Sequence, residues 1–190
     1  MSKNSINDEL IIETSARIAN KIGLDNLSLK VLACELNIKS PSLYNHFSSL
    51  DEIKQMLMVY GWKQMEEQII DSVIGVSGYE ALKNMCNAFY DYATNNKGVF
   101  NAMLWYNKYE SKKSEKVTTR LFNIIFKIME PLNITDENIN HIIRTLRGFL
   151  EGFSLLVNNN AFGNSISIKD SFDLSLEIIM NGIKSLEGVK

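Results

Sequence analysis

The sequence predicts an all-α protein of about nine helices. Three observations carry that expectation. Apolar residues recur at three- and four-residue spacing along the chain, as they do in helices with one buried face. Capping residues, glycines and a proline punctuate those segments at helix-length intervals. No segment alternates apolar and polar residues with the period of two that a half-buried strand requires. With 190 residues, 45% of them hydrophobic, the chain has ample material for a core.

Ser5 to Ile22 reads as the first helix, opened by a capping box of Ser5 and Asp8 and ended by Gly23. Its apolar positions are Leu10, Ile11, Ala16, Ile18, Ala19 and Ile22. Leu24 to Leu27 crosses to two short helices within Ser28–Phe47. Ser28 is placed to N-cap the first of them, and Leu29, Leu32, Ala33 and Leu36 give it an apolar face. Asn37 follows, a residue that tolerates the left-handed conformation of a sharp turn. Ser40 is expected to cap the next helix, with Pro41 at its first position, where the missing N–H costs nothing. Leu43 and Phe47 then face back, and Ser42, Tyr44, Asn45 and His46 point outward. A short helix exposing compact hydrogen-bonding groups and an aromatic hydroxyl suits a DNA groove. Ser49 and Glu52 form a second capping box, opening a long helix through Ile53, Met56, Leu57, Tyr60, Met65 and Ile69 to about Ile74.

Gly75 to Gly78 is the clearest break in the chain. Ser77 and Glu80 cap a helix reaching about Asn95, with Leu82, Met85, Phe89 and Tyr92 along one side. Val99 to Tyr106 reads as a short aromatic helix, and Asn107 to Glu115 as a polar loop running into a helix start. A helix then extends to Glu130 and stops at Pro131. Thr135 caps the next, to about Asn158, and Ser167 with Asp170 caps the last, to about Leu186. The expected division is a helix-turn-helix domain at 1–50 and a ligand-binding and dimerisation domain at 51–190, with helix 51–74 as connector.

The formal net charge is −2, and the first fifty residues balance to zero. Bulk basicity therefore gives no support to nucleic-acid binding, although only a small face need be basic. The two cysteines, Cys34 and Cys86, read as buried reduced thiols. His46 and His141 have no Cys or His at ligand spacing, so neither a metal nor another cofactor is expected. No nucleophile–base pair and no Gly-rich phosphate loop argues for an enzyme. No apolar run approaches the roughly 18 residues that span a membrane, and the N-terminus is polar, so a cytoplasmic protein is expected.

Ala19, Gly23, Leu27-Ser28-Leu29, Leu32-Ala33, Leu36, Ile38, Pro41-Ser42-Leu43-Tyr44 and His46-Phe47 together resemble the TetR family of transcriptional regulators. The Leu-Tyr-x-His-Phe string after a helix-starting Pro is the most specific part, and the motif covers roughly residues 10 to 57. The resemblance implies that Ser28 and Lys30 touch phosphate or an adjacent base, and that Ser40 and Ser42 face the major groove beside Pro41. It implies phosphate contacts from Tyr44 and His46, which position the helix without reading sequence. Asn45 is the candidate base reader, since an amide pairs bidentately with adenine. Against these roles, Tyr44 also reads as a core residue and His46 as a packed surface one. Family members usually carry a Lys at the entry to the fourth helix; Leu50 stands there, so one phosphate contact is lost or taken over by Lys54 or Lys3, and Lys39 is a further candidate DNA contact. A His-Gly pair common in one C-terminal subgroup is Glu151-Gly152 in this chain, so no role tied to that histidine carries over.

The resemblance further implies a sensing pocket after residue 78 for a small hydrophobic or aromatic effector. Met85, Phe89, Tyr92, Phe100, Met103, Leu104, Trp105, Phe122, Phe126 and Met129 form the pool for its lining, although stripes of this kind more often build core. It implies a homodimer through the last two long helices, with Ile142, Leu146, Phe149, Phe153, Phe172, Leu176, Ile179 and Ile183 at the interface. Gly148 and Gly152, four apart, permit close approach there. A dimer also follows from DNA geometry, since two reading helices about 34 Å apart read a palindromic operator in double-stranded DNA. The function implied is that of a ligand-responsive regulator, a repressor, with no membrane partner. The competing classes are an all-α enzyme or small-molecule carrier, and a protein–protein adaptor, without DNA binding.

Overall fold

The computed structural model describes residues 6–104 and 112–188, with the side chains of 112–118 excepted. Among them, eight α-helices and short 3-10 segments make an all-helical chain. The helices are α1 (Asp8–Ile22), α2 (Leu29–Glu35), α3 (Leu50–Val73), α4 (Gly78–Asn95), α5 (Lys97–Met103), α6 (Lys112–Met129), α7 (Asp136–Asn158) and α8 (Ile168–Lys184).

Several helix ends follow from the residues that flank them. Ser28 accepts from the Val31 N–H at 3.3 Å, Thr135 from Asn138 and Ser167 from Asp170. Gly23 at φ 89° closes α1, its N–H reaching the Ala19 carbonyl at 2.9 Å. Asn37 does adopt the left-handed conformation, at φ 53°. Three ends differ from expectation. Ser5 lies outside the described residues, and α1 is capped instead by Asn7, whose side chain accepts from the Leu10 N–H at 2.9 Å. Ser49 does accept from the Glu52 N–H, but the Glu52 carboxylate returns to the Ser48 N–H and hydroxyl rather than to Ser49. Helix α6 starts at Lys112, inside the stretch expected to be loop; residues 107–111 lie outside the description.

The chain forms two compact units, Met1–Gln64 with Asn96–Val117, and Met65–Asn95 with Thr118–Lys190. Helix α3 contributes residues to both units, and α5 belongs to the first. In the first unit α1 packs on α2 and α5. Ile11, Ala19, Leu32, Ile53 and Leu57 form a core excluded from solvent, whereas Ile22, counted among the apolar positions of α1, is 42% exposed. In the second unit α4 packs on α7 and α8 over Leu82, Cys86, Leu146, Phe172 and Leu176. Burial pushes the Cys86 thiol up to about 12, so it stays protonated and inert. Cys34 departs from the expectation for both cysteines: it is exposed on α2. Among the described residues no helix is long and apolar enough to cross a membrane.

Candidate functional site

The candidate DNA-contacting region is built on α2 and the six-residue segment Ser40–Asn45. That segment is a 3-10 helix, not an α-helix. It is short, and Pro41 supplies no N–H, so few α-type hydrogen bonds are available to it. Lys39 occupies the cap position in extended conformation, and Ser40, expected to cap, makes no side-chain capping bond. A 3-10 helix has three residues per turn, so residues three apart share a side. Leu43 is 1% exposed and anchors the inner side, and Phe47 closes against the core at 5%.

This geometry sorts the candidate residues. Lys30, Lys39, Pro41, Tyr44 and Asn45 are exposed. Tyr44 shows 59% of its surface, which removes the alternative of a core tyrosine. Ser28, Ser40, Ser42 and Lys54 are half-buried. The capping bond uses a lone pair of the Ser28 hydroxyl and leaves its hydrogen able to donate. His46, expected to point outward with Tyr44 and Asn45, is less exposed than either. It lies three residues beyond buried Leu43, is half-buried, and turns to α1, where Nδ1 stands 2.7 Å from Asp8 Oδ1. The sequence gives no sign of Asp8 as its partner, because 38 positions separate the two.

The candidate pocket residues divide between the units. Phe100 and Met103 on α5 are buried in the first, with Leu104 half-buried beside them. Met85, Phe89 and Tyr92 on α4 and Met129 on α6 are buried in the second. Phe122 is 40% exposed, Phe126 half-buried, and Trp105 lies outside the described residues. The second unit also holds a fixed charge that the apolar pool does not include: Glu66, 2% exposed, with Oε1 2.9 Å from Arg120 Nε. An open groove of about 370 Å³ in that unit runs between Tyr79, Glu80 and Lys83 of α4 and Leu176, Met180 and Lys184 of α8, and none of the pool lines it. The Tyr79 hydroxyl there is pushed up to about 12, first by burial and then by the Glu187 carboxylate. Among the described residues no cluster of His, Cys, Asp or Glu could hold a metal ion.

The expected interface residues are largely turned inward. Ile142, Leu146, Phe172, Leu176 and Ile183 are at most 4% exposed within their own chain, and Phe149, Phe153 and Ile179 are half-buried. The reason is an aromatic cluster: Tyr90 of α4 stacks on Phe172 of α8 at 4.1 Å, and Phe149 of α7 stacks on the same ring at 5.5 Å. What α7 and α8 present to solvent is Leu155, Leu156, Leu174 and Ile178, the last two 60% and 63% exposed. No heavy atom comes within 4 Å of a Cβ placed on Gly148 or Gly152.

Residues 82–179 match the family of the tetracyclin repressor-like C-terminal domain. Over 179 residues the chain is 30% identical to an uncharacterized HTH-type transcriptional regulator, YobS, of Bacillus subtilis (strain 168), covering 94% of this chain and 93% of that one. Among solved structures, a single-substitution variant of TetR from Acinetobacter baumannii AYE, in complex with minocycline, aligns with a TM-score of 0.73 at 14% identity, over 97% of this chain and 99% of that one. The TetR family protein ActR of Streptomyces coelicolor, in complex with actinorhodin, aligns at 0.65 and 17%, over 96% and 99%. At those identities the likeness is one of fold.

Proposed function

The chain belongs to the TetR family of transcriptional regulators, and on that premise we propose that it is a cytoplasmic, dimeric repressor that leaves a palindromic operator when a small hydrophobic or aromatic effector binds. The observation that carries this reading is the reading head. A capped α2, a left-handed Asn37 and an anchored 3-10 helix hold Tyr44 and Asn45 in solvent between two buried apolar neighbours, Leu43 and Phe47. Phosphate contacts come from Ser28, Lys30, Lys39, Tyr44 and His46, with Lys54 behind them. Asn45 reads a base edge, and Ser40 and Ser42 support it. The small-molecule complexes of the two structural relatives support a small effector for this chain, held among Met85, Phe89, Tyr92, Phe126 and Met129. Effector binding changes the separation of the two reading helices across the dimer. Effector and operator then oppose each other reciprocally, by about 1–3 kcal/mol.

A gel-shift assay against the DNA flanking its own gene tests the reading. Binding is expected, with a steep loss on adding salt as phosphate contacts release counterions. Failure to bind at low salt would sink it.

Two substitutions separate positioning from reading. Tyr44→Ala is expected to weaken binding on every operator variant by about 10- to 100-fold, the worth of a hydrogen bond to a charged phosphate. Asn45→Ala is expected to relax preference at one base pair by about 1–3 kcal/mol, leaving the other positions discriminated as before. Equal losses for Asn45→Ala across a full set of operator variants would remove it as the reader.

A further inference from the structure

We propose that Asp8 is a positioning residue for His46, and that through this pair operator binding takes up a proton. The inference rests on the proposed phosphate contact of His46. Asp8 occupies the first helical position of α1, and its Oδ1 lies 2.7 Å from His46 Nδ1. An ionised carboxylate has no hydrogen to donate, so the hydrogen in this bond sits on Nδ1. In a neutral imidazole held this way Nε2 carries a lone pair, and two acceptors cannot bond each other. A phosphate oxygen therefore engages Nε2 only when the ring is an imidazolium, with Nδ1–H donating to Asp8 and Nε2–H to the phosphate. A neutral ring must therefore take one proton from solvent on binding, and no bond to carbon changes. Nε2 has no hydrogen-bond partner among the described residues.

The other charged groups on the surrounding elements are Glu9, Glu13, Arg17 and Lys21 of α1, Lys30 and Glu35 of α2, Lys39 before the 3-10 helix, and Asp51, Glu52 and Lys54 of α3. Glu52 is held by Ser48, and Arg17 lies 3.9 Å from Glu35. Asp8 is the one charged group in contact with His46 among the described residues. The sign follows: proton uptake on binding makes affinity fall as pH rises through the range where histidine loses its charge.

The test is fluorescence anisotropy of a labelled duplex from upstream of the gene, with the full-length protein, from about pH 5.5 to about pH 8.5 at constant ionic strength, a range that brackets histidine titration. Wild type is expected to lose affinity with rising pH, approaching about tenfold per pH unit for each protomer engaged. Asp8→Asn is expected to flatten that dependence, because an amide can donate to Nδ1 and leave the hydrogen on Nε2 of a neutral ring; its binding persists at the alkaline end, where wild type has weakened. His46→Gln, whose amide donates at any pH, is expected to be flat as well. Thermal melts of both variants establish that they are folded. A flat wild-type profile, or an Asp8→Asn profile as steep as wild type, overturns the proton coupling, while weaker binding by His46→Gln would leave the phosphate contact standing. No binding by wild type at any pH overturns the regulator reading and this inference with it.

Discussion

Replacing Leu174 and Ile178 together by aspartate is expected to turn the proposed dimer into monomers and abolish its proposed operator binding. Both side chains lie on α8 one helical turn apart, and both are more than half exposed in the isolated chain. Burying an aliphatic side chain of this size contributes about 1.5–3 kcal/mol. A two-fold interface counts each residue twice, and a carboxylate in the same place must be desolvated as well. The dimer constant is therefore expected to weaken by three orders of magnitude or more, on the order of the sum of those terms. A monomer carries one reading helix and spans one half-site, so operator affinity is expected to fall at least about 100-fold. Sedimentation equilibrium gives the first quantity and anisotropy the second. Because both positions face solvent in the single chain, far-UV circular dichroism is expected to stay that of wild type. A double variant that remained dimeric would place the interface elsewhere.

The residues at that surface show what the sequence does not carry. Periodicity identifies the apolar stripes of α7 and α8 but not which stripe faces which neighbour. The resemblance implies Ile142, Leu146 and Phe172 at an interface, yet all three are buried within their own chain, where Tyr90 of α4 stacks on Phe172. Leu174 and Ile178 lie on the same helix as Phe172 and have no place in the interface that the resemblance implies. Helix number, most helix ends and the left-handed Asn37 depend on neighbours in sequence, and these are legible. Pro41 is legible as a helix start, but not that the segment it opens stays 3-10, which depends on how Leu43 and Phe47 seat in the core. His46 illustrates the same limit: the resemblance implies a phosphate contact for it, while its partner on α1 is a tertiary fact. Glu66 is the opposite case, a charged residue that the apolar pattern passes over and that the fold buries against Arg120.

Gly98→Ala is expected to cause the largest loss of stability of any single methyl addition in the first unit. In the sequence Gly98 falls between the helix expected to reach about Asn95 and the one expected from Val99. In the fold a Cβ at that position would lie 2.0 Å from the Ala19 carbonyl oxygen and 2.1 Å from its carbon. Both are backbone atoms of α1, so no side chain can move aside to make room. Helices α1 and α5 would have to separate. That separation breaks the cap that α1 provides for α5, in which Asn20 Oδ1 accepts from the N–H groups of Gly98 and Val99 at 3.0 Å each. It also opens the packing around Val99, Phe100 and Met103, all at most 1% exposed. Overpacking and a lost cap together are expected to cost about 3 kcal/mol or more. For a chain of this length that lowers Tm by about 6–12 °C. Gly163→Ala is the control: no heavy atom lies within 4 Å of the added carbon, and the position is exposed. Its effect is expected to stay within about 0.5 kcal/mol. Calorimetry on the two variants reads the difference directly. Equal melting temperatures would mean that α1 and α5 do not approach closely enough for glycine to be required at their crossing.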